Sequence, residues 1–281
     1  MNIGEIVKDS ITYPLLDWKK FFILGIMILI GNLYFDIGPV IQNSGLLIIL
    51  LLLWIIFSLL VNGYMIRIIE SSLNGKLELP DFYAWGTMLI DGFKLSIVTF
   101  IYTVPAFIIA FFADIFYRSF LSHIGSNLST YDASTLLNPI ISYGSILFNI
   151  GTNLSNYDAN ILLNLGILIL IAFLYFLIIT PIVLMAVANM AYNDCEFNSA
   201  FRFGKILNKI GHIGWINLII WYIKTGIIYL ALLLVGSLII DILGTISPII
   251  IGLLSSLVLA TYLNIYLFRS VALIYMSEGN P

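Results

Sequence analysis

Six stretches of this 281-residue chain are apolar for about the length of a membrane crossing, and no other feature restricts the fold as much. They run over 19–36, 46–66, 95–113, 165–190, 213–241 and 248–268. A hydrocarbon core about 30 Å thick takes roughly 20 helical residues to cross, and lipid offers no partner for an open N–H or C=O. Only a helix closes its own backbone hydrogen bonds within such a stretch. The pattern predicts an all-α integral membrane bundle of six transmembrane helices, forming a single transmembrane domain over 1–281. Composition points the same way: 61% of the residues are hydrophobic and only 10% are charged. The mean hydropathy is +1.07.

The same composition excludes several functions. A net charge of -3 from 12 basic and 15 acidic residues provides no field for nucleic acid. Cys195 has no second cysteine to pair with, and with only His123 and His212 beside it no ordinary zinc set can be assembled. No cofactor is expected. Three bases and three acids precede Phe21, and no small-residue cleavage site follows the first apolar run. That run is expected to stay as a span rather than act as a signal peptide.

Lys and Arg in connecting segments are held on the cytoplasmic side during insertion. Residues 1–20, 67–94 and 191–212 carry three each, and Arg269 follows the last span. The opposite segments hold only Arg118, while Lys224 lies inside the fifth apolar run. The expectation is a multi-pass protein of the cell membrane with both termini in the cytoplasm.

Each cytoplasmic segment has an apolar stripe at helical spacing beside a polar one, the pattern of a helix lying in the headgroup plane. Three such amphipathic helices are predicted. In the first, Ile3, Ile6, Val7 and Ile11 oppose Glu5, Lys8 and Thr12, with Asn2 and Glu5 spaced as a capping box. The second starts at Leu79-Pro80-Asp81 and turns Phe82, Trp85, Leu89 and Phe93 toward lipid. The third starts near Asn193 and Glu196, with Phe197, Phe201, Leu207 and Ile210 on one side and Arg202, Lys205 and Lys209 on the other. Three bases per segment are fewer than the four to eight of an anionic-lipid cluster, so anchoring explains them as well as lipid recognition does.

An amphipathic segment followed by two spans recurs three times. The outgoing spans end on Asp36, Asp114 and Asp241, and two returning spans end with Asn62-x-Tyr64-x-x-Arg67 and Asn264-x-Tyr266-x-x-Arg269. The middle return has only Asn189 and Tyr192. Two readings stay open: an internal triplication, as in many transporters, or residues that recur at any membrane boundary. If the three units share an axis, Asp36, Asp114 and Asp241 form an outer carboxylate ring able to attract cations; otherwise each marks the water boundary.

A second repeat is plain. Residues 124–138 and 150–164 agree at 11 of 15 positions with an offset of 26, inside an external insert over 114–164. Two copies are too few for a solenoid, so a duplicated outer loop is expected. Asn127 and Asn153 head Asn-Leu-Ser sequons, candidate glycosylation sites on that side.

No catalytic motif of the nucleophile-elbow, P-loop, dinucleotide or zinc-protease kind occurs. Polar residues within the spans are the remaining candidates, because each is expensive in hydrocarbon. A pathway would bring Asn32, Asn62, Asn217, Asn264 and Lys224 to one internal cavity. Lys224 could instead open the fifth span at the interface, behind Trp215, Trp221 and Tyr222. Gly252, Ser256, Ala260 and Asn264 follow at i+4 and offer a small-residue face for close packing.

Three segments, 5–25, 63–94 and 197–215, together resemble an archaeal family of uncharacterised polytopic membrane proteins, domain of unknown function 4013. The middle one is the most specific, with Gly63-Tyr64-x-x-Arg67, Leu79-Pro80-Asp81-Phe82, Trp85 and Ile90-Asp91-Gly92-Phe93-Lys94. The resemblance covers most of the chain outside the duplicated insert. It implies a multi-span protein in the cell membrane of a methanogen and brings no activity or site residues. The third segment is also similar, more loosely, to a short helix in membrane domains found beside glycerophosphodiester phosphodiesterases, which implies a lipid setting. The resulting expectation is a non-enzymatic membrane protein that meets membrane lipid, or protein partners of unspecified kind, through its interfacial helices. The alternative is a small transporter or channel built from three helix-hairpin units.

Overall fold

The computed structural model describes residues 2–38, 41–128 and 156–277, except for the side chains at 116, 119–128, 156–162 and 248. Asn153, the side chain of Asn127 and most of the tandem duplication therefore lie outside the described residues. The described chain is helical, without strands. In order it forms α1 (Ile3–Thr12), α2 (Trp18–Ile37), α3 (Ser44–Leu73), α4 (Trp85–Leu128), α5 (Asn156–Tyr192), α6 (Phe203–Ile213), α7 (Trp215–Gly244), α8 (Pro248–Leu254) and α9 (Thr261–Met276). A π-helical turn, Ser255–Ala260, joins α8 to α9. Among the described residues six helices are long and apolar enough to cross a membrane: Trp18–Ile37, Ser44–Leu73, Trp85–Ile115, Leu163–Tyr192, Trp215–Gly244 and Ile249–Met276.

The chain divides into two compact units, one of residues 1–101 with 181–281 and one of residues 102–180. In the second, the carboxylate of Asp114 pairs with Arg118 at 2.7 Å, one turn further along α4. Thr180 donates its hydroxyl to the Phe176 carbonyl at 2.6 Å, beside Pro181 in α5.

The first unit holds the core. Local signals start its helices: Asn2 and Glu5 close the capping box at α1, Asp17 accepts from the Lys20 amide at 3.0 Å, and Asn43 accepts from that of Leu46 at 3.2 Å. Tyr13, Phe21, Leu24, Met27, Leu60, Tyr64, Met65 and Ile265 meet in one buried cluster. Helices come together where side chains are missing. A Cβ on Gly92 would sit 1.8 Å from the Leu59 carbonyl oxygen, and one on Gly63 would sit 1.9 Å from that of Met88, so α3 and α4 touch backbone to backbone. A Cβ on Gly25 would come within 2.7 Å of the Leu257 oxygen, which presses α2 against the π turn.

The amphipathic segments differ from the expectation in two respects. No separate second helix forms. Residues 76–84 run as a non-helical strap, and α4 starts at Trp85 and continues without interruption into the span. The cause is a set of side chains that take the strap's carbonyls from a distance. Lys76 O accepts from Arg269 Nη1 (3.0 Å), Glu78 O from Tyr13 Oη (2.8 Å), Leu79 O from Lys20 Nζ (2.7 Å) and Pro80 O from Tyr64 Oη (2.9 Å). Arg67 donates to both Tyr83 O and Ala84 O. With these carbonyls satisfied, the helix has no hydrogen-bonding advantage over an extended path. The first and third segments are helical, but their apolar stripes are buried against protein: Ile6 and Val7 in α1, Ile206, Ile210 and Ile213 in α6. Leu207 remains exposed on α6, and a 3-10 turn at Phe197–Phe201 precedes it.

Candidate functional site: a polar cavity between helices

The two Asn-x-Tyr-x-x-Arg sequences do parallel work. Each Arg is buried and stacks on a tyrosine, Arg67 over Tyr83 at 4.5 Å and Arg269 over Tyr13 at 4.3 Å. Each also holds a carbonyl of the strap. Arg269 in addition pairs with Asp9 at 2.7 Å. The Asn of each sequence is one and a half turns deeper, and both line the same cavity.

That cavity has a volume of about 560 Å³ and lies wholly within the first unit. Its polar lining comes from Asn32 on α2, Ser58 and Asn62 on α3, Ser96 on α4 and Asn264 on α9, with Gly31, Phe57 and Trp54 among the apolar members. Each amide holds one neighbour. Asn32 Nδ2 donates to Ser256 Oγ (3.0 Å), Asn62 Nδ2 to Ser96 Oγ (3.0 Å) and Asn264 Nδ2 to the Ala260 carbonyl (2.8 Å). Ser96 passes its own hydroxyl proton to the Gly92 carbonyl at 2.8 Å. The first two of these bonds join neighbouring helices and the third stays within the last one; in all three the amide donates, which leaves its oxygen as an acceptor.

The π turn sets one wall. Thr261 donates its hydroxyl to the Ser256 carbonyl at 2.9 Å, satisfying a carbonyl in the widened turn, and Ser256 thereby meets Asn32. Turns of this kind often occur at functional positions. The small-residue face of the last span is thus used against α2, with Gly252 next to Asp36 and Ser256 on Asn32. Aromatic rings stand around Trp54, with Tyr34 stacked at 6.3 Å and Phe35 edge-on at 5.6 Å.

Of the five polar residues singled out in the sequence, Asn32, Asn62 and Asn264 come together here, and Asn217 and Lys224 do not. Asn217 donates to the Ile213 carbonyl at 2.9 Å and so closes the end of α6 at the turn into α7, where Gly214 has φ +87°. Lys224 is exposed on α7, while its neighbour Thr225 takes the buried position and meets Ser270 at 3.3 Å. Asp36 and Asp241 are exposed in the first unit, and Asp114 belongs to the second, where Arg118 partners it. Among the described residues no three His, Cys, Asp or Glu side chains gather as metal ligands. Trp54 and Ser58 had gone unnoticed, although they stand at i−8 and i−4 of Asn62 and share its face of α3; that spacing was the available signal.

Elsewhere in the unit, Cys195 is buried and donates its thiol to Glu70 Oε1 at 3.0 Å. Burial first, and then that hydrogen bond, push its pKa up, so it is held as the unreactive thiol.

With the strap and cavity described, the comparisons with known proteins can be placed on them. The family model "Protein of unknown function (DUF4013)" matches residues 46–240. The chain belongs to this family. No curated protein and no solved structure matches. The DUF4013 match takes in the strap, Gly63, Gly92 and the cavity residues Ser58, Asn62 and Ser96, and Asn32 and Asn264 fall on either side of it.

Proposed function

We propose that this multi-pass protein is a non-enzymatic component of the cell membrane, with both termini cytoplasmic, that binds a ligand from the bilayer in the asparagine-lined cavity. The observation that carries this reading is the meeting of three amides from three helices around about 560 Å³, a volume in the range of ligand sites. Ser58 stands at the midpoint of the 30-residue α3, which puts the cavity near mid-membrane depth. Polar groups at that depth are costly unless they serve packing or a ligand, and here they surround open space.

Recognition of anionic lipid by the amphipathic segments has less support. Lys20, Arg67 and Arg269 hold the strap, Arg202 pairs with Glu196 and Lys94 with Asp91, so five of the ten bases expected on the cytoplasmic side are engaged within the protein. A transport role is the second reading, favoured by one observation: the cavity collects residues from all three sequence units, as transporter sites do at repeat interfaces.

The test is native mass spectrometry of the detergent-extracted protein. A one-to-one lipid adduct is expected on the native chain and on Gly86→Ala, where a Cβ meets open space, and is lost when Ser58→Trp fills the cavity. Equal adducts on native and Ser58→Trp proteins, both folded by thermal melt, would refute the reading. Counterflow of a cavity-bound molecule in liposomes would move the assignment to transport.

A further inference from the structure

We infer that the cavity is selective for an uncharged, hydroxyl-rich headgroup carried on a lipid, such as a sugar or glycerol group. This rests on the cavity-binding reading above and assigns its ligand class.

The lining decides the charge. Its polar groups are amides and hydroxyls, and no Lys, Arg, His, Asp or Glu is among them. A phosphate or carboxylate brought to this depth would lose its hydration without meeting a counter-charge, and an ammonium would fare the same. Neutral groups escape that penalty.

Hydrogen-bonding capacity then decides the kind of neutral group. Asn32, Asn62 and Asn264 each commit an N–H to a protein neighbour, which leaves amide oxygens as acceptors and one N–H apiece as donor. Ser58 lines the cavity, has no side-chain hydrogen bond among the described residues, and its hydroxyl can both donate and accept. A ligand that only accepts, such as an ester or ketone, leaves the three amide oxygens unmatched. Hydroxyl groups donate and accept together, and several of them on one small frame match a lining of this mixed kind.

The position of the groups gives the ligand its shape and its route. Trp54, Ser58 and Asn62 recur at i+4 on one face of α3, so the polar ladder rises about 6 Å per step and about 12 Å in all. The upper step is an indole, the surface on which the apolar face of a sugar ring stacks. Ile55 both lines the cavity and is 40% exposed on α3. An opening bordered by such a side chain admits a molecule that already resides in the bilayer, with its chains left among the lipids.

The experiment uses the full chain, delipidated and placed in dodecylphosphocholine micelles. Monoglucosyl diacylglycerol, phosphatidylglycerol and phosphatidylethanolamine are offered together at equal concentration, and adducts are counted by native mass spectrometry. At least a tenfold preference for the glucosyl lipid is expected, falling to threefold or less in Asn62→Leu and in Asn264→Leu. The glucosyl adduct should survive a hundredfold excess of free methyl β-glucoside. Displacement by the free glucoside would overturn the lipid-borne source. Adducts that Ser58→Trp removes but that have no headgroup preference would overturn the ligand class and leave the cavity-binding reading standing. Adducts indifferent to Ser58→Trp would overturn both. A variant that fails to fold is replaced by Ser58→Ala, for which a threefold or greater loss of preference is expected and an unchanged preference counts against the assignment.

Discussion

Arg269 donates through Nε to Asp9 at 2.7 Å, joining the last helix to the first across 260 positions of chain. The guanidinium is 3% exposed and the carboxylate 31%. Because the acid end still sees solvent, the pair is worth less than a fully buried one. Asp9→Asn is expected to destabilise the protein by roughly 1–3 kcal/mol, leaving a buried cation without its counter-charge. The midpoint of a thermal melt in detergent would drop by several degrees. An unchanged midpoint would mean that Tyr13 and the Lys76 carbonyl suffice to hold Arg269.

Gly63 and Gly92 lock α3 to α4 with no side chain between them. Gly92→Ala should exceed the 1–3 kcal/mol of ordinary overpacking, because the added methyl meets the Leu59 carbonyl, which has no rotamer to change. Gly86→Ala is the control, since a Cβ there has open space. Size-exclusion profiles should show Gly92→Ala aggregated or strongly destabilised and Gly86→Ala like the native chain.

Cys195 should report unfolding. Its buried, hydrogen-bonded thiol is expected to resist maleimide at pH 7.5 and to react stoichiometrically once the protein is heated past its melt. Rapid labelling of folded protein would contradict the burial.

Acid should loosen the strap at Asp81. Lys20 donates to its carboxylate at 2.8 Å and holds the pKa below the ordinary range. A depressed carboxyl pKa adds stability above the unfolded value, about 3.9, and loses it as pH falls through the lower folded value. Asp81 is exposed, so the effect is small and screened by salt. The check is the difference in melt between native and Asp81→Asn proteins, which should be present at pH 6 and shrink as the pH falls below the unfolded value.

The orientation has a direct test in a Cys195→Ser background. Lys76→Cys in sealed cells should escape an impermeant maleimide and react after permeabilisation, as the ten-to-one distribution of bases predicts. Labelling from outside would invert the topology.

The spans were legible because an apolar run of that length closes its own backbone in lipid only as a helix, and the Asn2 and Glu5 spacing marked the start of α1. The strap was not. Phe82, Trp85, Leu89 and Phe93 fit a helical stripe by spacing alone, yet Phe82 stacks on Tyr64 at 4.3 Å and only the later three enter a helix. What overrides the local pattern is hydrogen bonding from Tyr13, Lys20, Tyr64, Arg67 and Arg269, and nothing in residues 76–84 encodes those donors. The cavity was half legible. Asparagine in an apolar run stands out, whereas the π turn that brings Ser256 to Asn32 depends on the contact of Gly25 with Leu257, a tertiary event without a local signature.

The strap also imposes an order on biogenesis. Tyr13, Lys20, Tyr64 and Arg67 are made before or close to the residues they grip, so most of the strap can be fastened as soon as α3 and α4 leave the ribosome. Asp9 must wait 260 residues for Arg269, and the Lys76 carbonyl 193. Until that arginine arrives, the nascent protein has an unpaired carboxylate and an open backbone group at the same corner. The arrival of α9 therefore closes that corner, and chains that stall before Arg269 would present membrane quality control with an unfinished corner to recognise.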